Sequence, residues 1–330
     1  MKNFEYAAPR TEEEALALLA QRPDQTAVLA GGTDLVPLMK KMLVTPQRVV
    51  NIKNIDSLRG IHAHSQGVTI GAVTTLDQLL EAPELEPYPA VKQVIAKLGS
   101  LQLQCQMTLG GELCRRPQCW YFRNGYGLLG RRGQLVEQGD NRYHAILDNQ
   151  GPAKFVSPSR LAPALIALGA VVRVAGPGQQ ETTVPVERLY RTPKDDHQRE
   201  LTLSPAQLLT HVMLPKLSQG TLNATYEVKH GTGPQPPLAT ASVALELDGS
   251  GVVRSARVVM GQVAPVPWRS REAEEVLVGQ RIGYELAELA GAAAVAPATP
   301  LSQNQYKVQI AKTAVKRAVL LAAGLETGGL

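Results

Sequence analysis

The segment VLAGGTDLVPLMK, residues 28–40, decides how the N-terminal part of the chain is interpreted. An apolar run ends at Gly31 and Gly32, and residues that can form a helix follow Asp34. Glycine tolerates positive φ and lets another group approach the main chain closely. The N–H groups of Gly32, Thr33 and Asp34 could therefore converge on an anion such as a pyrophosphate. A tight turn between a strand and a helix is the alternative interpretation of this glycine pair.

The residues on both sides of this segment predict a small βαβ-like unit over residues 1–55. TEEEALALLAQ is typical of a helix that starts with a capping box between Thr11 and Glu14. TAVLA and RVVNIKNI, residues 26–30 and 48–55, are typical of short buried strands. Part of DLVPLMKKML, which lies between them, is expected to be helical.

A second unit, residues 56–222, is predicted from the sequence that follows. SLRGIHAHSQGVTIGAVTTLDQLLE indicates a strand pair and then a helix that starts near Thr75, and AVKQVIAKLGS indicates another helix. Residues 112–157 are rich in Gly, Arg and Asn and have little periodicity, so we expect an irregular insertion or long functional loop there. SPSRLAPALIALGA and VVRVAG then predict a helix and a strand.

The C-terminal residues 223–330 are predicted to form a separate α+β domain. From Tyr226 onward, two strands with an alternating pattern are joined through residues 248–251. REAEEVLVG, YELAELAGAAAVA and NQYKVQIAKTAVKRAVLLAA are typical of helices. Strands followed by helices are the order expected of an α+β domain.

Composition and charge exclude several classes of protein. The chain has 330 residues, 44% hydrophobic and 19% charged, which is typical of a globular α/β protein with more than one domain. Its 34 Lys and Arg are interleaved with 29 acidic residues, which argues against nucleic-acid binding. We expect no export signal and no membrane span, because long apolar runs are absent from the sequence. A cytoplasmic location is expected, or a periplasmic one only if a partner subunit carries the export signal.

A second glycine loop, MTLGGELC at residues 107–114, places another glycine pair at the end of an apolar stretch. Neither loop matches the G-x-G-x-x-G fingerprint of nicotinamide-binding Rossmann domains or the phosphate loop G-x-x-x-x-G-K-S/T. Two such backbone cradles could hold opposite ends of one ligand.

The pairing of AGGTD with TLGG resembles the flavin-binding medium subunit of the molybdenum hydroxylases. That family includes xanthine dehydrogenase, carbon monoxide dehydrogenase, aldehyde oxidoreductases and 4-hydroxybenzoyl-CoA reductase. VNIKNI, IGAVTTL, PSRLAPALIALGA, YEVK and GQVAPVPWR extend the resemblance along the chain. The resemblance implies an α+β protein: a vanillyl-alcohol-oxidase-type (PCMH-type) FAD-binding fold of two α/β subdomains, and a C-terminal α+β domain like that of carbon monoxide dehydrogenase flavoprotein.

The same resemblance implies FAD as the cofactor, with no catalytic residue and no metal ligand in this chain. Residues 30–35 would wrap the pyrophosphate, and Lys229 would lie near the isoalloxazine, where a cation stabilises the negative charge of reduced flavin. The residues implied to bind FAD are Leu29, Ala30, Gly31, Gly32, Thr33, Asp34, Leu35, Thr108, Gly110, Gly111 and Lys229.

The function that the resemblance implies is electron transfer inside a complex. Substrate would be oxidised on a large subunit that contains molybdopterin, and a small subunit with [2Fe–2S] clusters would pass electrons to this chain. FAD would deliver them to NAD or another acceptor. A dimer of heterotrimers is the expected assembly.

Several positions depart from the family pattern and leave an alternative open. Glu112 stands where GGN is usual, Arg160 stands where Ser-Asp is frequent, and the stretch after Lys229 differs. A carboxylate near a diphosphate is unfavourable unless it points to solvent or pairs with a cation such as Arg160. The alternative is a structural or assembly subunit that has lost or weakened FAD binding.

Cys105, Cys114 and Cys119 lie close together in the sequence, and their odd number favours a reducing compartment over a disulfide framework. LCRRPQCWYFRNG resembles the start of a segment that carries an extra [4Fe–4S] cluster in some branches of the family. Such a cluster needs four thiolates, whereas here only Cys119 matches an expected ligand. Cys105 and Cys114 would bring the thiolates to three, and His144 would have to complete a mixed site. We therefore expect the insertion to be a docking surface for a partner, with residues 120–122 packed beneath it.

Overall fold

The computed structural model describes residues 1–231 and 235–328, and its strands form three sheets. The strands are β1 (Glu5–Ala7), β2 (Thr26–Leu29), β3 (Arg48–Asn51), β4 (Ile61–His64), β5 (Gly67–Gly71), β6 (Val171–Gly176), β7 (Gln180–Pro185), β8 (Leu208–Pro215), β9 (Thr221–Val228), β10 (Ala239–Leu247), β11 (Val253–Gly261) and β12 (Trp268–Arg269).

Helices connect and cover these sheets. They are α1 (Glu12–Gln21), α2 (Leu35–Lys40), α3 (Leu76–Glu81), α4 (Pro89–Ala96), α5 (Leu101–Gln104), α6 (Leu109–Leu113), α7 (Trp120–Arg123), α8 (Gln134–Gln138), α9 (Leu161–Ala167), α10 (Arg271–Leu277), α11 (Tyr284–Val295) and α12 (Tyr306–Ala322). No helix in the described ranges is long and apolar enough to cross a membrane.

The first sheet is parallel, in the order β1-β3-β2, and α1 packs on it through Ala15, Leu16 and Leu19. The Thr11 hydroxyl caps α1 by accepting the N–H of Glu14, as predicted. The capping box is incomplete, because the Glu14 carboxylate accepts the N–H of Arg10 instead of that of Thr11. The prediction that β2 is buried is wrong: β2 is half-buried, because it is an edge strand that lines a cleft.

The second sheet is antiparallel in the order β4-β5-β8-β6-β7, with α3, α4 and α9 packed against it. Its central strand, β8, is not predicted from the sequence. The strand is buried along most of its length. A strand that is covered on both faces lacks the alternation of apolar and polar residues by which strands are identified in a sequence.

The third sheet is antiparallel in the order β12-β11-β10-β9 and is covered by α10, α11 and α12. The predicted hairpin is confirmed, since Asp248 accepts the N–H groups of Ser250 and Val252 at the turn between β10 and β11. The flanking strands β9 and β12 are not predicted. The predicted domain boundary after residue 222 falls inside β9, which begins at Thr221. The division of the chain into these domains stays a prediction.

Residues 112–157, the predicted insertion, contain the short helices α7 and α8 between irregular stretches, and they contact all three sheet regions. Arg123 forms an ion pair with Asp34 beside the first sheet, with Nη2 and Oδ1 2.7 Å apart. Arg116 pairs with Glu200, which lies shortly before β8. On the third side, the ammonium of Lys307 on α12 donates to the carbonyl oxygens of Tyr143, His144 and Gln262. The insertion therefore contacts the first sheet, the segment before β8 in the second sheet and α12, which covers the third sheet.

Replacing Lys307 by methionine is expected to lower the free energy of unfolding by about 2 to 4 kcal/mol, because three buried carbonyl oxygens lose a charged donor. Burial lowers the pKa of Lys307 to about 7, so urea unfolding at pH 6 compares charged lysine with methionine. Lys316→Met on the same helix is the control, since this accessible lysine pairs with Glu288 at the surface and is worth at most about 1 kcal/mol. Equal losses in the two variants would contradict the role given to Lys307.

Candidate functional site

The two glycine loops meet and line one cleft of about 470 Å³. A Cβ atom at Gly31 would lie 1.8 Å from the carbonyl oxygen of Gln106, just before the second loop. At Gly110, a Cβ atom would lie 2.9 Å from that of Ala72. The glycines are therefore required by close approach of the chain, and the cleft has the size typical of a cofactor site.

Most of the predicted FAD-binding residues line this cleft, and Leu29 and Lys229 do not. The predicted residues that do so are Ala30, Gly31, Gly32, Thr33, Asp34, Leu35, Thr108, Gly110 and Gly111. The structure thus brings together two segments that are far apart in the sequence.

The backbone amides of the first loop are free. Within the described chain, none of the N–H groups of residues 30–35 donates a hydrogen bond; the first helical bond of α2 runs from Val36 to the Gly32 carbonyl. Gly32 has φ of +72°, a conformation that glycine adopts without strain. Unpaired amides beside an open cleft are what an anionic ligand needs. The loop therefore fits the diphosphate of FAD.

The second loop is built differently, and the expectation of two amide cradles is wrong for it. The N–H of Gly110 donates to the Ala72 carbonyl at 2.9 Å, and that of Gly111 donates to the Thr108 hydroxyl at 3.2 Å. Thr108 thereby caps α6. This loop contributes two glycines, flanked by Thr108 and Cys114, to the wall of the cleft, whereas the first loop contributes free amides.

The Asp34 carboxylate faces the insertion. It accepts the N–H of Arg116 at 2.9 Å, the amide of Gln118 at 3.2 Å and a guanidinium N–H of Arg123 at 2.7 Å. These donors compensate its negative charge, which would otherwise oppose an anion at the first loop. Asp34 therefore holds the loop in place, and this contact is not predicted from the sequence.

Two arginines also line the cleft, and sequence reasoning missed both. Arg116 comes from the insertion and Arg199 from the segment before β8. Each is one of many arginines in a chain with little clustering of charge, so the sequence carried no signal for them.

Two departures from the family pattern, Glu112 and Arg160, form a buried cluster outside the residues that line the cleft. The third, the stretch after Lys229, includes residues 232–234, which lie outside the described residues. Arg160 holds Glu227 of β9 with two hydrogen bonds, Nε to Oε1 at 2.9 Å and Nη2 to Oε2 at 2.5 Å. Glu112 is buried too, so it does not point to solvent; its carboxylate accepts the backbone N–H of Arg160 at 2.8 Å and contacts Arg115 at 3.2 Å. The expected pairing of Glu112 with the Arg160 side chain is wrong, because Glu227 occupies that guanidinium. Burial raises the pKa of Glu112, an effect that Arg115 opposes.

Lys229 lies beside this cluster at the end of β9. Its ammonium donates to the Lys97 carbonyl at 2.8 Å, and the Arg160 guanidinium donates to the same oxygen at 3.0 Å. Burial and then the charge of Arg160 lower the pKa of Lys229. Its assignment to FAD stays a prediction.

Cys119 and His144 lie next to each other in the insertion, with Sγ and Nε2 3.1 Å apart. Burial raises the pKa of the Cys119 thiol, and burial followed by the charge of Lys307 lowers the pKa of His144 to about 4. Both groups are therefore neutral at pH 7, and no thiolate nucleophile arises here. Among the described residues, no group of three or more His, Cys, Asp or Glu is placed to hold a metal ion.

Of residues 120–122, expected from the sequence to pack beneath the insertion, Phe122 is buried and the other two are half-buried.

Two family models match successive segments of the chain. Residues 2–217 match the FAD binding domain in molybdopterin dehydrogenase, and residues 234–322 match the CO dehydrogenase flavoprotein C-terminal domain. The matches agree with the two glycine loops, which both lie in the first segment. They establish the cofactor as FAD.

Similar proteins are aligned with nearly the whole chain. The aldehyde oxidoreductase FAD-binding subunit of Escherichia coli strain K12 is 28% identical over 94% of this chain and 96% of its own. The carbon monoxide dehydrogenase medium chain of Hydrogenophaga pseudoflava is 27% identical over 96% of both chains. A solved structure of carbon monoxide dehydrogenase from Hydrogenophaga pseudoflava superposes with a TM-score of 0.78 and 25% identity, covering 98% of each chain.

These similarities confirm the predicted fold class, a PCMH-type FAD-binding fold of two subdomains followed by a flavoprotein C-terminal domain. The observed sheets agree with it, since two lie before residue 217 and the third lies after it. The chain belongs to the FAD-binding medium subunits of the molybdenum hydroxylase family, and it is an oxidoreductase subunit.

Proposed function

We propose that the chain is the electron-transfer subunit of a multi-subunit molybdenum hydroxylase, which passes electrons from the iron–sulfur clusters of a partner subunit to NAD or another acceptor. The observation that carries the proposal is the shared cleft, which both glycine loops line and beside which the amides of the first loop are free. FAD, when bound, supplies the redox chemistry, because a flavin accepts and donates electrons. The chain's own residues bind and orient the cofactor.

Different residues would contact different parts of FAD. The amides of residues 30–35 would hold the diphosphate, and Asp34 keeps their loop in position through Arg123 and the backbone of Arg116. Gly110 and Gly111 would let the cofactor pass close to the main chain. Lys229 would place a positive charge near the isoalloxazine, and its contact with the Lys97 carbonyl fixes its direction.

The proposed partners are a large subunit with molybdopterin and a small subunit with [2Fe–2S] clusters, assembled as a dimer of heterotrimers. The names of the relatives support this, since they include medium chains of carbon monoxide dehydrogenase and a 6-hydroxypseudooxynicotine dehydrogenase complex subunit alpha. The insertion is the proposed docking surface, because it carries exposed Tyr126 and Tyr143. The proposed location is the cytoplasm, or the periplasm if a partner carries the export signal.

The alternative of a structural subunit without FAD gains no support from the cleft. Glu112 and Arg160, which motivated it, make their hydrogen bonds in the buried cluster and are absent from the cleft lining. The negative charge of Glu112 is therefore engaged by Arg115 and by the backbone of Arg160 within that cluster.

The experiment is to purify the tagged chain from its host together with the subunits that accompany it. We expect the absorbance of an oxidised flavin that dithionite bleaches, and the release of FAD on denaturation, identified by chromatography. Mass spectrometry of the accompanying subunits tests the partners, and reduction of the flavin by NADH tests NAD as the acceptor. A fully assembled complex without flavin would contradict the proposal.

A further inference from the structure

Arg116 and Arg199 come from different segments of the chain and stand in the same cleft as the first glycine loop. The backbone N–H of Arg116 donates to Asp34 at 2.9 Å, which places this residue directly beside that loop. Cys114, the last residue of the second loop, caps the C-terminus of α6 and lines the same cleft. The two guanidinium groups therefore lie among the elements that define the site.

The Arg116 side chain is oriented by the protein, and part of it stays unused. Its Nε pairs with the buried carboxylate of Glu200, and its guanidinium lies 5.0 Å from the centre of the Phe122 ring. Its two terminal nitrogens make no hydrogen bond to any residue that the structure describes. An arginine held in this way presents a prepared fork of donors.

Arg199 forms neither a hydrogen bond nor an ion pair with residues 1–231 or 235–328, and it stays accessible to solvent. Asp24 and Asp34 also line the cleft, but neither is paired with Arg199. Partial desolvation by the surrounding protein, followed by the positive charge of Arg116, lowers the pKa of Arg199 although its side chain remains accessible. Two neighbouring guanidinium groups repel each other, and an anion between or beside them relieves this repulsion.

We propose that Arg199, with Arg116 beside it, binds the diphosphate of FAD and completes the site that the free amides of the first loop begin. Guanidinium groups match phosphate oxygens with paired, charge-assisted hydrogen bonds. Amides alone offer partial charges, whereas the diphosphate carries full negative charges that remain to be compensated. This inference rests on the proposed function, because it assumes that FAD occupies the cleft.

The test is the affinity of the complete, flavin-free chain for added FAD, with Arg199 replaced by glutamine. A lost charge-assisted hydrogen bond weakens binding by about 10- to 100-fold, and we expect Arg199→Gln to show such a loss. Arg199→Lys should recover part of it. Because Arg199 makes no contact that holds the fold, the thermal unfolding of Arg199→Gln should match that of the wild type.

The matched control is Arg188→Gln, which removes the same charge from an exposed residue outside the cleft. This variant should bind FAD as the wild type does. The wild-type affinity should also weaken as salt is added, and Arg199→Gln should be less sensitive to salt. If the wild type binds FAD and Arg199→Gln binds it equally well, the inference is overturned while the proposed function stands. If the wild type binds no FAD at all, the proposed function itself fails.

Discussion

Replacing Arg160 by methionine is expected to lower the free energy of unfolding by about 3 to 5 kcal/mol, the cost of leaving one partner of a buried ion pair alone. The guanidinium contacts Glu227 through two hydrogen bonds and the Lys97 carbonyl through a third, at 3.0 Å. Arg160 and Glu227 are both buried, so water cannot replace the lost donors. Urea unfolding followed by circular dichroism measures the loss.

A double variant separates the ion pair from simple packing. Arg160→Met combined with Glu227→Leu removes both charges, and replacing a buried pair by apolar residues is often close to neutral. The double variant should therefore be more stable than Arg160→Met alone. If Arg160→Met has the same free energy of unfolding as the wild type, the ion pair does not stabilise the contact between β9 and the FAD-binding part of the chain.

Replacing Gly31 by alanine is expected to weaken FAD binding by about 5- to 150-fold, the equivalent of the 1 to 3 kcal/mol that overpacking typically costs. The added Cβ would lie 1.8 Å from the Gln106 carbonyl oxygen and 2.8 Å from its carbon. Both are backbone atoms, so the two loops must separate and the amides of residues 30–35 must shift. Flavin content of the purified chain and titration with FAD measure the effect.

Gly151→Ala is the control for this substitution, because a Cβ at this exposed glycine meets nothing within 4 Å. It should retain FAD fully. A Gly31→Ala chain that unfolds at the wild-type temperature yet has lost its flavin would locate the damage in the cleft. Retention of wild-type affinity by Gly31→Ala would show that the contact between the loops does not shape the FAD site.

Several features followed from the sequence because they depend on residues that are neighbours along the chain. The Thr11 cap, the hairpin at Asp248 and the helices of the C-terminal domain are set by local hydrogen bonds and by apolar periodicity. The glycine pairs were visible for the same reason, and their resemblance to a family indicated the cofactor. Strand β8 was missed because its burial removes the alternation that marks a half-exposed strand.

The sequence by itself determined the two glycine loops, and its resemblance to a family implied the fold class and the cofactor. The tertiary structure decided which amides are free, since the Thr108 hydroxyl and the Ala72 carbonyl engage those of the second loop and leave those of the first. It also decided that Arg160 turns to Glu227 while Arg199 stands unpaired in the cleft. The physical reason is that hydrogen bonding and burial depend on groups that folding brings together from distant parts of the chain, and no local pattern encodes those partners.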